Sequence, residues 1–151
     1  MIERLQNNEI EVSKIIRSVF QLSYKVEAEL LKATDFPPLK RSLNNFINSN
    51  TEFFGYIKGG KIIGVIEIEY NNRLTDIHSL VVDPTFFRQG VAKKLMEFVF
   101  NTFDSSLFVV ETGIKNVPAI DLYEKFGFIE VKQWDTDHGV RKAKFERRIN
   151  N

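Results

Sequence analysis

Residues 83–92, DPTFFRQGVA, set a glycine at position 90 between the apolar run IHSLVV and the segment VAKKLMEFVF. Pro84 lacks a backbone donor and restricts Asp83, so a strand ends here. A strand, a short bend and a helix starting beside a glycine leave several N–H groups aimed into one space, which suits phosphate oxygens. The glycine taken alone also fits a plain bend, because neither the dinucleotide fingerprint nor a P-loop is present.

The elements that must hold this bend are those of a mixed α/β domain. MIERL reads as a short strand, and Asn8 with Glu11 as a capping pair for a helix whose Val12, Ile15, Ile16 and Val19 face a core. The segment from Ser23 to Leu39 is ambiguous; DFPPL opens a further helix with Leu39, Leu43, Phe46 and Ile47 on one face. EFFGYI and KIIGVIEIEY flank KGG as a hairpin, and NNR turns into a third strand, LTDIHSLVV. From Gly90, the positions Val91, Leu95, Phe98, Val99 and Thr102, widened by Ala92 and Met96, trace a helix that covers the sheet. SSLFVVET reads as a buried strand. Asn116 caps a helix carrying Ile120, Tyr123 and Phe126, and Gly127 ends it. FIEVKQW and RKAKFERRI are two last strands around the turn DTDHG.

With 151 residues, 43% hydrophobic and 27% charged, the chain fits one domain with a sizeable core and no linker or repeat. The absence of cysteine excludes disulfides and a thiolate nucleophile, and two histidines argue against a histidine-rich metal site. The N-terminus carries no apolar signal segment, and no apolar run is long enough to span a membrane, so the sequence predicts a cytoplasmic protein. A net charge of +1 gives little guidance about partners. The basic stretch RKAKFERR either attracts an anion or protects an exposed strand edge, and nucleic-acid binding is not expected.

Two stretches, LVVDPTFFRQGVAKKLM and VVETGIKNVPAIDLYEKFGF, together resemble the GCN5-related N-acetyltransferase (GNAT) family, and the order of helices and strands around them matches its fold. The resemblance implies a single domain over residues 1–151, with a central, mostly antiparallel mixed sheet flanked by helices. It also implies transfer of acetyl from acetyl-CoA, as cosubstrate, directly to a primary amine on a small molecule or peptide, with no metal. A catalytically inactive acetyl-CoA-binding module is the alternative, and the chain is a monomer or homodimer.

Carried over by position, the resemblance assigns the coenzyme A pyrophosphate to Arg88, Gln89, Gly90, Val91 and Ala92. Phe87 departs from the family's usual glutamine or arginine there. Leu80, Val81 and Val82 would lie on a strand that parts from its neighbour to admit the pantetheine arm, and a sheet N–H near Val81 or Val82 would polarise the thioester carbonyl. Tyr123 would protonate the thiolate, or be a core residue with a polar tip. Asn116 would bind cofactor, position its helix, or only cap it. The base is divided among Glu111, the Asp76 and His78 pair, and water or another acid. The acceptor would enter between residues 24–39 and DTDHG, and Glu67 with Glu69 forms an acidic acceptor surface or an exposed structural pair.

Overall fold

In the computed structural model, which describes residues 1–149, the apolar runs form seven strands of one sheet and the helical stripes form four helices on its faces. The elements are β1 (Ile2–Leu5), α1 (Ile10–Leu31), α2 (Leu43–Asn48), β2 (Glu52–Lys58), β3 (Lys61–Asn71), β4 (Leu74–Val82), α3 (Val91–Thr102), β5 (Leu107–Gly113), α4 (Val117–Lys125), β6 (Ile129–Asp135) and β7 (Arg141–Arg148). Short 3₁₀ turns occupy Pro37–Lys40 and Pro84–Phe86. The sheet order is β1-β2-β3-β4-β5-β7-β6, antiparallel throughout except for the parallel β4 and β5. This is the mostly antiparallel mixed sheet that the sequence implies.

Strand alternation divides the core into two layers. Phe53, Val65 and Val81 pack with Ile16, Val19 and Phe20 of α1 and Phe46 of α2. Their neighbours Phe54, Ile66 and Val82 turn to the opposite face, against Leu95, Met96 and Val99 of α3. Each of these fully buried side chains stabilises the fold by about 1.5–3 kcal/mol relative to exposure. No helix among the described residues is long and apolar enough to cross a membrane.

Several local expectations are corrected. The N-cap of α1 is Glu9 and makes no side-chain cap. Asn8 does not cap it, and Glu11 bonds Lys14 instead. Ile15 is exposed, while Ile16 and Val19 carry the buried stripe. The ambiguous segment is the second half of α1, which runs unbroken to Leu31 and stops where Lys32 turns left-handed, at φ 55°. Leu39 lies in the 3₁₀ turn, outside α2. The basic strand β7 is interior to the sheet, so its charges do not guard an edge; Lys142 and Arg141 pair with Glu111 and Asp135.

Candidate functional site

The pairing of β4 with β5 is short. Leu74 to Ile77 match Leu107 to Val110, after which the ladder stops while β4 continues to Val82 and β5 to Gly113. The two strands therefore part and leave an opening lined by His78, Ser79 and Leu80 on one side and Glu111, Thr112 and Gly113 on the other.

A bulge in β4 shapes this opening. Glu67 pairs with Ser79 and Ile68 with Ile77, leaving His78 as the extra residue. An extra residue reverses which face each later side chain takes. Ile77 accordingly packs on the α3 side, whereas Val81, an even number of residues on, packs on the α1 side. The main chain follows the same logic. Asp83 N–H donates to Ile63 of β3 and Val82 N–H to the Ser23 hydroxyl, at 2.8 and 3.3 Å. By alternation Val81 N–H points to β3 and Leu80 N–H into the opening. This corrects the expectation that Val81 offers an amide to the site.

Two cavities meet at Leu80 and Tyr123. The first, of about 310 Å³, runs along Val82, Phe87, Arg88, Gly90, Val91, Ala92 and Lys93 to Pro118 and Leu122 of α4. Gly90 is the N-cap of α3 at φ 77°, and no side chain caps the helix, so the N–H groups of its first turn are free of intrahelical acceptors and of a side-chain cap. A Cβ at Gly90 would meet nothing within 4 Å, so the protein itself has no steric need for glycine here; the positive φ is what requires it. Arg88 is also left-handed, at φ 64°. Gln89 does not line this cavity, and its candidate role has no contact behind it.

The second cavity, of about 270 Å³, is closed by α1, by the start of the 3₁₀ turn that follows it and by the turn before β7, through Tyr24, Glu27, Leu31, Phe36, Pro37, Pro38, His138 and Val140. Both segments expected at the acceptor entrance therefore border it. Close approach at Gly113 makes this possible: a Cβ there would meet Leu31 Cδ2 at 2.6 Å, so the end of α1 sits directly on β5.

Tyr123 lies between the cavities and is 5% exposed. Its hydroxyl has no hydrogen-bond partner among the described residues, where no buried side-chain oxygen or nitrogen is left unpaired, so the hydroxyl opens onto cavity space. Burial, reinforced by the charges of Glu27 and Tyr24, raises its pKa well above the ordinary phenol range. The phenol is protonated at neutral pH.

Asn116 does not line either cavity but joins them mechanically. Its Oδ1 accepts from Ala119 N–H at 3.4 Å as the cap of α4, and its Nδ2 donates to Glu27 Oε1 at 2.5 Å and Thr112 Oγ1 at 3.3 Å. Glu27 was not singled out by the sequence, although it lies seven residues from Phe20 and four from Leu31, on the buried side of α1. Burial pushes its carboxyl above the usual range, against the Asn116 hydrogen bond and the charge of Lys142.

The other acids fall into two groups. Glu111 lines the second cavity and is held by Lys142 Nζ at 3.2 Å. His78 Nε2 lies 2.9 Å from Glu69 and 3.6 Å from Asp76, which itself does not line the cavity. Burial raises the Asp76 carboxyl, opposed by His78 and reinforced by Glu111 and Glu69. Glu67 is no part of an exposed pair. Only 1% exposed, it accepts two hydrogen bonds from Arg41, at 2.7 and 2.9 Å, and one each from Thr51 and Ser79. Burial alone would raise its pKa, but these partners hold it below the ordinary range.

Comparison with known proteins fits this geometry. The chain is 36% identical over 146 residues to the UPF0157 protein YqkA of Bacillus subtilis, covering 96% of this chain but only 43% of that protein. It is 29% identical to a streptothricin acetyltransferase of Escherichia coli over 76% of this chain and 69% of that one. Its fold superposes on the ribosomal-protein-S18-alanine N-acetyltransferase of Escherichia coli with a TM-score of 0.79 at 20% identity, covering 100% of this chain and 94% of the other. The acetyltransferase (GNAT) family model matches residues 16–128, and the chain belongs to that family.

Proposed function

We propose that this acetyltransferase moves acetyl from acetyl-CoA to a primary amine by direct attack in the opening between β4 and β5. The observation that carries the reading is the junction of the two cavities at Leu80 and Tyr123, with an uncapped helix start at one end and carboxylates at the other.

The residues fit coenzyme A. The amides opening α3 and the positive end of its dipole suit a pyrophosphate, with Arg88 and Lys93 nearby as cations. The inward N–H of Leu80 and the backbone of Val82 suit the pantetheine amides and, at the reacting end, the carbonyl oxygen as it gains charge. Phe87 lines the same cavity and leaves phosphate contact to the main chain. The cosubstrate would supply an acetyl group activated as a thioester.

The amine nitrogen forms a bond to the acetyl carbon as the carbon–sulfur bond breaks. Tyr123 gives its phenolic proton to the departing sulfur, and the proton lost by nitrogen passes to Glu111 directly or through water. His78 with Asp76 offers a second route at the bulge. One structural neighbour is named for a ribosomal-protein alanine and one relative for streptothricin. The acceptor is therefore assigned only as a primary amine, on a peptide N-terminus or a small molecule.

Acetyl-CoA titration followed by an assay of amine-dependent thiol release tests this reading. Thiol release matched by acetylated amine supports it. Stoichiometric acetyl-CoA binding with no release across a broad panel of amines would instead indicate a binding module.

A further inference from the structure

Three charged side chains line the acceptor cavity: Glu27, Glu111 and Lys142. Glu111 is already paired with Lys142. Glu27 forms no ion pair among the described residues, and its one side-chain hydrogen bond, from Asn116, occupies Oε1. Since no buried side-chain oxygen there lacks a partner, Oε2 is open to the cavity. A half-buried carboxylate with one oxygen clamped and the other facing a cavity is set to receive a cation.

The walls around it are specific about what that cation carries. Leu31, Phe36, Pro37 and Val140 make an apolar lining, with Tyr24 beside Phe36 at a ring separation of 5.9 Å. Water offers an ammonium better solvation than these walls do, so only the carboxylate makes its entry favourable, while the walls reward an apolar substituent next to it.

We propose that Glu27 binds the ammonium of the acceptor, and that the acceptor is a cationic primary amine bearing an apolar or aromatic group close to the nitrogen. This deepens the reading above and rests on it for the reaction, but the binding site stands on its own geometry. Asn116 acts as the positioning residue. Its amide fixes the Glu27 carboxylate while its carbonyl caps the helix that carries Tyr123. The ammonium and the acidic phenol are thereby set from a single side chain.

The test uses phenethylammonium chloride as the probe, titrated by NMR into the full chain with and without saturating coenzyme A. Glu27→Gln keeps the shape and the oxygen that Asn116 bonds, so the melting temperature should move little. Binding to the wild type with shifts at Tyr24, Leu31 and Phe36, weakened at least about tenfold in Glu27→Gln, is the expected result. Equal affinity in both proteins, or no binding to the wild type, overturns the proposal. A second readout separates charge from shape: aniline, uncharged at pH 7.5, should bind both proteins alike, and an equal loss for both probes would reduce Glu27 to a structural residue. Acetyl transfer is scored separately. Failure of transfer with the ammonium preference intact overturns only the catalytic reading, and transfer that is indifferent to Glu27→Gln overturns only this one.

Discussion

Asn116 Nδ2 lies 2.5 Å from Glu27 Oε1, a contact that spans 89 residues of sequence and ties the C-terminal end of α1 to the N-cap of α4. Removing it should do two things. Asn116→Ala loses the helix cap and the hydrogen bonds to Glu27 and Thr112, costing about 2–3 kcal/mol in chemical denaturation. Asn116→Asp retains a capping oxygen but sets a second carboxylate against Glu27. Repulsion between the two carboxylates should lower its melting temperature, and the added negative charge should raise its affinity for a cationic acceptor above that of the wild type. Equal acceptor affinity in wild type and Asn116→Asp would break the proposed link.

Gly90 offers a division of causes. Because φ is 77° and the space beyond is open, Gly90→Asn tolerates the backbone far better than Gly90→Val, yet both add a side chain toward the proposed phosphate cradle. Calorimetric titration with coenzyme A should therefore show both variants binding at least about tenfold more weakly. Full affinity in a folded Gly90→Asn would leave only the turn geometry as the reason for glycine.

Tyr123→Phe keeps the ring that packs against Phe128 and Phe145 and deletes a hydroxyl with no partner among the described residues. Stability should stay within about 0.5 kcal/mol. Single-turnover transfer should fall about 10²-fold or more, with acetyl-CoA affinity unchanged. Glu111→Gln should lower the same rate in a pH-dependent way if Glu111 takes the amine proton. An unchanged rate in either folded variant removes that residue's role.

The Arg41 and Glu67 pair makes a stability prediction. Glu67 is buried and Arg41 also lies 4.1 Å over the ring of Phe46, so Arg41→Met strands a buried charge and should cost about 3 kcal/mol. The depressed Glu67 carboxyl contributes stability above its unfolded pKa, the ordinary glutamate value of about 4.5. That contribution is lost as pH falls below it through the folded value. Acid unfolding of the wild type should show this loss, and Arg41→Met should show less of it. Identical pH profiles would contradict the assignment.

Much of this was legible in the residues. Alternation gave the strands, Pro84 and Gly90 gave the bend, and Asn116, Tyr123 and Gly127 bounded α4. The second half of α1 was not legible, because Leu22, Val26 and Leu30 are exposed and blur the stripe carried by Ala28 and Leu31. The bulge at His78 was hidden as well. Strict alternation would put Ile77 and Val81 on one face, and only pairing to β3 reveals the extra residue. Glu27 and the Arg41 to Glu67 pair escaped because each partner comes from a distant part of the chain, and a carboxylate in an amphipathic segment carries no sign of what will bury it.

On the proposed reaction, acetyl-CoA lies in the parted strands with its reacting end at Tyr123, and a crystal structure of the complex with coenzyme A would show it. Pyrophosphate oxygens are expected on the amides of Gly90, Val91 and Ala92, pantetheine along Leu80 and Val82, and the sulfur within hydrogen-bond reach of the Tyr123 hydroxyl. Coenzyme A bound elsewhere, or bound there with its sulfur directed away from Tyr123, would contradict that placement.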